Sequence, residues 1–232
     1  MYLNKRVSVI LPVYNEAENI RASIHEFFAT EFVDEVVAVD NNSRDGSAAE
    51  IQRTKARYVS EPSQGYGAAL RRGLAEASGD VLVMCEPDGT FRASDIEKLL
   101  LYGEEFDVIF GTRTSRSLIW SGANMRFALR IGNWGVAKLL EYLFNGPSLT
   151  DVGCTYKLIT RSAYEKIKHR LSVRGSHFSP EFMIRTLQAG LRCVEIPVHY
   201  GSRIGTSKIT GKTWPAVRLG LRMIMFILRE RL

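Results

Sequence analysis

The sequence predicts an α/β fold, a mostly parallel central sheet with helices on both faces. Short apolar runs alternate with helically spaced apolar residues through the first half of the chain, the order that builds such a sheet. Three of the runs, Val7-Ser8-Val9-Ile10-Leu11, Val36-Val37-Ala38-Val39 and Val81-Leu82-Val83-Met84, are each followed by a cluster of acids and amides. Unpaired acids are costly to bury, so these clusters belong at the open carboxyl edge of the sheet, where parallel sheets bind ligands.

The elements follow in order. Strand 7–13 leads to a helix from about Glu16, with Ile20, Ile24, Phe27 and Phe28 at helical spacing. Strand 35–40 is followed by a short helix near 47–55, a brief strand at Tyr58-Val59-Ser60, the loop 61–67 and a helix to about Ala77. Gly79-Asp80 turns the chain into strand 81–85, a helix spans about 94–102, and Asp107 opens strand 108–112. A long, partly basic helix over 124–144 stops at Gly146-Pro147. A strand-like segment 153–160 precedes a helix at 162–168; a second helix begins at Ser176 or Ser179 and ends at Gly190, and strand 192–200 follows. Residues 213–231 form an amphipathic helix whose first turn tolerates Pro215. Its Arg218, Arg222 and Arg229 share one face, amid Val217, Leu221, Ile224, Met225 and Leu228. The expected organisation is one domain over 1–212, in halves of about 1–115 and 116–212, with a basic helix at 213–232.

A chain of 232 residues buries a large single core. Cys85, Cys154 and Cys193 show no Cys-x-x-Cys spacing, which favours reduced thiols in a cytosolic setting over a disulfide framework or zinc site. The net charge of +6 lies wholly in 203–232, with seven basic residues against Glu230. A basic end on a neutral body points to an anionic partner, phosphate or a membrane surface. No nucleic-acid module accompanies it. No uninterrupted apolar stretch reaches the roughly 18 residues of a membrane span, and Asn4-Lys5-Arg6 leads straight into a strand rather than a signal peptide. The expected state is therefore soluble or peripheral.

Glu86-Pro87-Asp88 is the sharpest candidate for chemistry. Hard carboxylate oxygens at a strand end suit Mg²⁺ or Mn²⁺ shared with a diphosphate. Asp40 to Ser47 is also rich in turn formers, and Asp45 suits the cap of the following helix. Ser63 to Ala69 lacks the Lys-Ser/Thr of a P-loop, although its small residues permit a close backbone approach. Arginine's planar fork suits phosphate, which marks Arg113 and Arg126, with Arg130 as rival to the latter. Asp151 and Glu181 read either as candidate bases or as local caps.

Taken together, Pro12-Val13-Tyr14-Asn15-Glu16, the Asp40–Ser47 cluster, Glu86-Pro87-Asp88 and Arg203-Ile-Gly-Thr-Ser-Lys208 resemble the inverting glycosyltransferases of family 2. Within that family the resemblance is closest to the dolichyl- or polyprenyl-phosphate mannosyltransferase group, from about Val7 to the C-terminus. It implies a Rossmann-like, nucleotide-sugar-binding GT-A fold. It further implies metal-dependent transfer of a hexose from GDP-mannose or a UDP-sugar to a polyprenyl or dolichyl phosphate. A sugar or lipid hydroxyl is the alternative acceptor, and a binding subunit without turnover is disfavoured by the intact acids and basic loop. The resemblance places Pro12, Tyr14, Glu16, Asp40 and Asn42 at the donor. Gln64, Gly67, Arg71, Glu86, Arg203 and Lys208 join them there, the last two on the diphosphate. Asp88 is the principal metal ligand with Glu86 in support, Asp88, Asp151 and Glu181 are the catalytic candidates, and Arg113 and Arg126 face the acceptor phosphate. Two departures concern the sugar: the family carries Asp where this chain has Glu86, and the mannosyltransferase group carries Gln where it has Thr90. The expected location is the cytoplasmic face of a membrane, with room for a membrane-anchored partner subunit.

Overall fold

The computed structural model describes residues 1–119, 127–204 and 213–231. Strands β1 (Val7–Val13), β2 (Glu35–Asp40), β3 (Arg57–Ser60), β4 (Val81–Met84), β5 (Val108–Thr112), β6 (Lys157–Thr160) and β7 (Cys193–Pro197) make one sheet, in the order β3-β2-β1-β4-β6-β5-β7. β6 runs antiparallel to both neighbours, and every other pairing is parallel.

Alternate residues of each strand feed two cores, so both faces are covered, as a parallel sheet requires. Ile10, Val37, Val39 and Leu82 pack with Leu70 and Leu74 of α3 (Tyr66–Glu76) and with Phe178 and Phe182 of α7 (Phe178–Gln188). Val9, Leu11, Val36 and Val83 pack with Ile20, Ile24 and Phe27 of α1 (Ile20–Ala29) and with Ile96 and Leu99 of α4 (Ile96–Tyr102). Short helices α2 (Ser47–Gln52) and α6 (Arg161–Ile167) cover the remaining connections. Helix α8 (Thr213–Arg231) packs on α5 (Phe127–Phe144) and α7 through Met223 and Ile227.

Several boundaries move. Helix α1 starts at Ile20 rather than Glu16, after a turn in which Asn19 N and Ile20 N both donate to the Glu16 carbonyl. The strand expected over 153–160 begins only at Lys157: its ladder partner β4 ends at Met84, opposite Lys157, where the chain turns off toward Asp88. Residues 124–126 of the long basic helix lie outside the described residues. All three cysteines are free thiols.

Candidate active site at the carboxyl edge of the sheet

Strand register sets the site. Val13 pairs with Asp40 and Asp40 with Ser60, while Ile10 pairs with Met84. The four parallel strands therefore deliver segments 14–16, 41–47, 61–65 and 85–88 to one edge.

A cleft of about 450 Å³ opens there, lined by Tyr14, Asn42, Ser43, Arg44 and Gln64. Amide side chains hold its loops. Asn41 Nδ2 donates to the Glu61 and Ser63 carbonyls at 2.8 and 2.9 Å, and its Oδ1 accepts from Gly65 N at 2.7 Å and Gln64 Nε2 at 3.2 Å. Asn42 Nδ2 donates to Pro62 O at 2.6 Å from a left-handed backbone (φ 63°) that asparagine tolerates. Asp40 is buried at the tip of β2 and accepts from Ser43 N at 3.3 Å. Asp45 accepts from Ser47 N and Ala17 N, each at 3.0 Å, and so serves the start of α2 as its position suggests. Pro12 is buried inside β1 opposite Val39.

Beside the cleft lies an acid cluster closed by one arginine. Asp88 is 1% exposed. Its Oδ1 accepts from Thr90 N at 3.0 Å and Thr90 Oγ1 at 2.5 Å, and its Oδ2 lies 3.1 Å from Arg203 Nη1. Arg203 Nη2 donates to Glu16 Oε1 at 2.6 Å, and Glu16 Oε2 accepts from Asn19 Nδ2 at 3.0 Å. Backbone bonds from Ile204 N to Asp88 O (3.0 Å) and from Gly201 N to Thr90 O (2.8 Å) pin segment 201–204 on the acid loop. Arg203 Nε is buried without a hydrogen-bond partner among the described residues.

The electrostatics mark an excess of acid. Burial, then the adjacent Asp88 carboxylate, pushes Glu86 up to about 8, with Arg203 and Arg113 opposing. Burial also raises Glu16 against the pull of Asn19 and Arg203. For Arg203 burial works the other way, but the charges of Asp88, Glu16 and Glu86 outweigh it and raise its pKa. Two carboxyl groups forced together, one with a vacated proton affinity near neutrality, fit a divalent cation that relieves their repulsion. Among the described residues no group of three or more His, Cys, Asp or Glu forms a protein-only cage, and Mg²⁺ usually completes its shell with water and substrate phosphates.

Other expected site residues are committed elsewhere. Asp151 is fully buried, and it accepts from Arg113 N and Nε at 3.0 and 2.8 Å, Arg113 Nη2 at 2.9 Å and Gly153 N at 3.0 Å. Burial raises its pKa, but the Arg113 charge and hydrogen bonds outweigh this and lower it. Asp151 is thus a structural anion rather than a base. Arg113, whose guanidinium also lies over the Tyr200 ring at 5.1 Å, is its counter-ion rather than an open phosphate clamp. Glu181 likewise has both oxygens engaged by local donors. It is fully buried at the start of α7 and accepts from Ser172 N and Oγ at 2.8 Å and from Val173 N at 2.9 Å.

Gly67 is small for packing rather than for a ligand, since a Cβ there would come within 2.5 Å of the Val173 carbonyl and 2.8 Å of Phe178 Cβ. Arg71 donates from Nη1 to Ser172 O at 3.1 Å, on that same contact. Lys208 and Arg126 lie outside the described residues. Asn41, Ser43, Arg44 and Asn19 join the site without having been named as site residues, and Thr90, noted only as a departure from the family pattern, joins them. Asn41, Ser43 and Arg44 stood in the polar cluster after β2, whereas Asn19 gave no signal beyond its nearness to Glu16.

Residues 8–168 match the family model of Glycosyl transferase family 2. An uncharacterized glycosyltransferase of Mycobacterium tuberculosis is 30% identical over 206 residues, covering 88% of this chain and 90% of the relative. A dolichyl-phosphate hexose transferase of Haloferax volcanii is 27% identical, over 97% of this chain and 96% of its own. A dolichyl-phosphate beta-glucosyltransferase of Trichomonas vaginalis is 27% identical, over 95% of this chain and 73% of its own. Among solved structures, glucosyl-3-phosphoglycerate synthase from Mycobacterium tuberculosis, in complex with Mn²⁺, UDP-glucose and phosphoglyceric acid, superposes with a TM-score of 0.73 at 20% identity, covering 98% of this chain and 80% of that one. The fold is that of the GT-A glycosyltransferases. The chain belongs to glycosyltransferase family 2.

Proposed function

We propose that the protein transfers a hexose from a nucleoside diphosphate sugar to a polyprenyl phosphate in a single inverting displacement, with Mg²⁺ or Mn²⁺ held by Asp88 and Glu86. The observation that carries the acceptor class is the commitment of Asp151 and Glu181. A hydroxyl acceptor needs a base to take its proton, and both candidate bases are buried and hydrogen-bonded at each oxygen. A phosphate monoester is already an anionic nucleophile and needs only positioning. The dolichyl-phosphate transferases related along nearly the whole chain support the same class.

In this reading Tyr14, Asn42, Ser43, Arg44 and Gln64 receive the nucleoside, and Thr90 fixes the Asp88 carboxylate. A phosphate oxygen of the acceptor forms the new bond to the sugar C1 as the bond from C1 to the diphosphate breaks. Negative charge then grows on the departing nucleoside diphosphate. A cation held by Asp88 and Glu86 would neutralise part of that charge, and Arg203, already against Asp88, would neutralise more. The protein works at the cytoplasmic face of a membrane, where such an acceptor resides.

The test supplies UDP-hexoses and GDP-mannose, Mn²⁺ or Mg²⁺, and a short-chain polyprenyl phosphate in detergent. The expected product is a lipid-linked hexosyl monophosphate whose formation stops with EDTA. Transfer to sugar hydroxyls alone would replace the acceptor class, and donor binding without turnover would replace the enzyme by a binding subunit.

A further inference from the structure

Helix α8 is docked by one face only. Met223 and Ile227 enter the core at 7% and 0% exposure. On the opposite side Val217, Leu221, Met225 and Leu228 stand 45%, 55%, 64% and 45% exposed, and their spacing lines them up along the helix. Arg218, Arg222 and Arg229 are exposed as well, and at 100° per residue they form a second row directly beside the apolar one. An exposed large apolar row is unusual on a soluble surface and marks an interaction site. Its flanking charges identify the partner: a row of guanidinium groups beside a row of aliphatic side chains matches the boundary of phosphate headgroups and acyl chains. Helix α8 itself carries Arg218, Arg222, Arg229 and Arg231 against Glu230 alone, so it holds a net positive charge that an anionic surface attracts. Helix α5, packed against α8, exposes Trp134 at 51%, a side chain favoured at membrane interfaces. Among the described residues no helix is long and apolar enough to cross a membrane.

We propose that the solvent-facing side of α8 docks on an anionic lipid bilayer, its Val217–Leu228 row entering the headgroup boundary and its arginine row binding lipid phosphates. The proposal rests on the lipid-phosphate reading only for its purpose, since docking would bring the cleft to the surface that holds the acceptor. The surface itself is argued from exposure and charge.

The experiment is co-sedimentation of the full chain with vesicles of phosphatidylcholine containing roughly one-third phosphatidylglycerol. The wild type is expected to bind these vesicles, to ignore pure phosphatidylcholine, and to release as salt rises. Replacing Arg218, Arg222 and Arg229 together by Gln should weaken partition on the order of a hundredfold, from roughly fivefold per arginine. Leu221→Glu with Met225→Glu should weaken it about tenfold or more, and because both side chains are exposed the melting temperature should hold. Both variants should transfer to a short-chain acceptor in detergent at the wild-type rate. Indifference of the wild type to anionic vesicles, or equal binding by either variant, would overturn the docking surface. A solution dimer lost with the same substitutions would assign the row to a second copy instead. Failure of the transfer reading is distinguishable, because it would leave vesicle binding intact while no lipid-linked product forms.

Discussion

Two arginine–carboxylate clusters stand on either side of β4, and their difference separates a binding site from a piece of scaffold. In one, Arg113 grips Asp151 with Nε, Nη2 and backbone N, and the nearby charges balance: Lys157 and Arg113 against Asp151 and Glu195. In the other, one guanidinium, Arg203, faces three acids: Glu16, Glu86 and Asp88. The first cluster has no unmet electrostatic demand. The second sets three carboxyl groups against one guanidinium at the open edge of the sheet, where burial and then the adjacent Asp88 carboxylate raise Glu86 to about 8. A balanced buried pair is structure, whereas an unbalanced one beside a cleft has capacity left for a cation and a diphosphate.

Removing one partner from the balanced cluster should produce the largest effect. Asp151→Ala leaves Arg113 charged, desolvated and unpaired, so unfolding in urea should show a loss of about 3–5 kcal/mol. A loss below about 1 kcal/mol would mean that the pair is hydrated and that Arg113 is available to a ligand after all.

The converse substitution acts more on chemistry than on folding. Asp88→Ala relieves repulsion on Glu86 but removes the acceptor of Thr90 N, Thr90 Oγ1 and one Arg203 nitrogen, so its urea unfolding should show a loss smaller than that of Asp151→Ala, about 1–3 kcal/mol. Its transfer rate at saturating Mn²⁺ should fall roughly a hundred- to a thousandfold, the usual cost of removing one electrostatic stabiliser of a leaving group. A folded Asp88→Ala protein with the wild-type rate would sink the metal assignment.

The same contrast explains what could be read in the sequence. The strand ends and their acids are local: an apolar run followed at once by Asp40 or by Glu86-Pro87-Asp88 fixes both the element and the edge it points to. The Arg203 motif is equally compact in sequence, and the structure places Arg203 itself on Glu16 and Asp88. The scaffold cluster depends on partners far apart in sequence. Arg113 and Asp151 are separated by 38 residues, and nothing near either one announces the other, so each looked like a free functional group. Glu181 left both readings open, base or local cap, and its oxygens accept from the turn at Ser172 and Val173. The reversed direction of β6 was hidden for a related reason. A short strand-like segment such as Lys157–Thr160 shows which residues alternate, but not which way the strand runs between two neighbours.

The smallest predicted effect lies at the opposite edge of the sheet, where a carboxylate serves structure alone. Glu35, at the amino end of β2, accepts from Ser8 Oγ at 2.5 Å and from Ser78 N and Oγ at 2.8 and 3.0 Å, with Arg57 Nη1 at 3.8 Å. Burial raises its pKa, but the donors from Ser78 and Ser8 and the Arg57 charge outweigh burial and hold it below the ordinary 4.5. Because the folded form is the stronger acid, Glu35 stabilises the fold fully above its unfolded pKa, and that contribution is lost as pH falls through the lower, folded value. Glu35→Gln is uncharged at every pH. It should therefore cost about 1 kcal/mol at pH 7, the scale of a charge-assisted hydrogen bond exchanged for neutral ones. The difference between the two proteins should begin to shrink as pH falls past the unfolded value of about 4.3 and vanish only below the lower, folded value, where both carry a neutral side chain. Urea titrations at neutral and acid pH measure it directly. A gap that stays constant with pH would show that Glu35 acts through shape, and that charge at this edge contributes nothing.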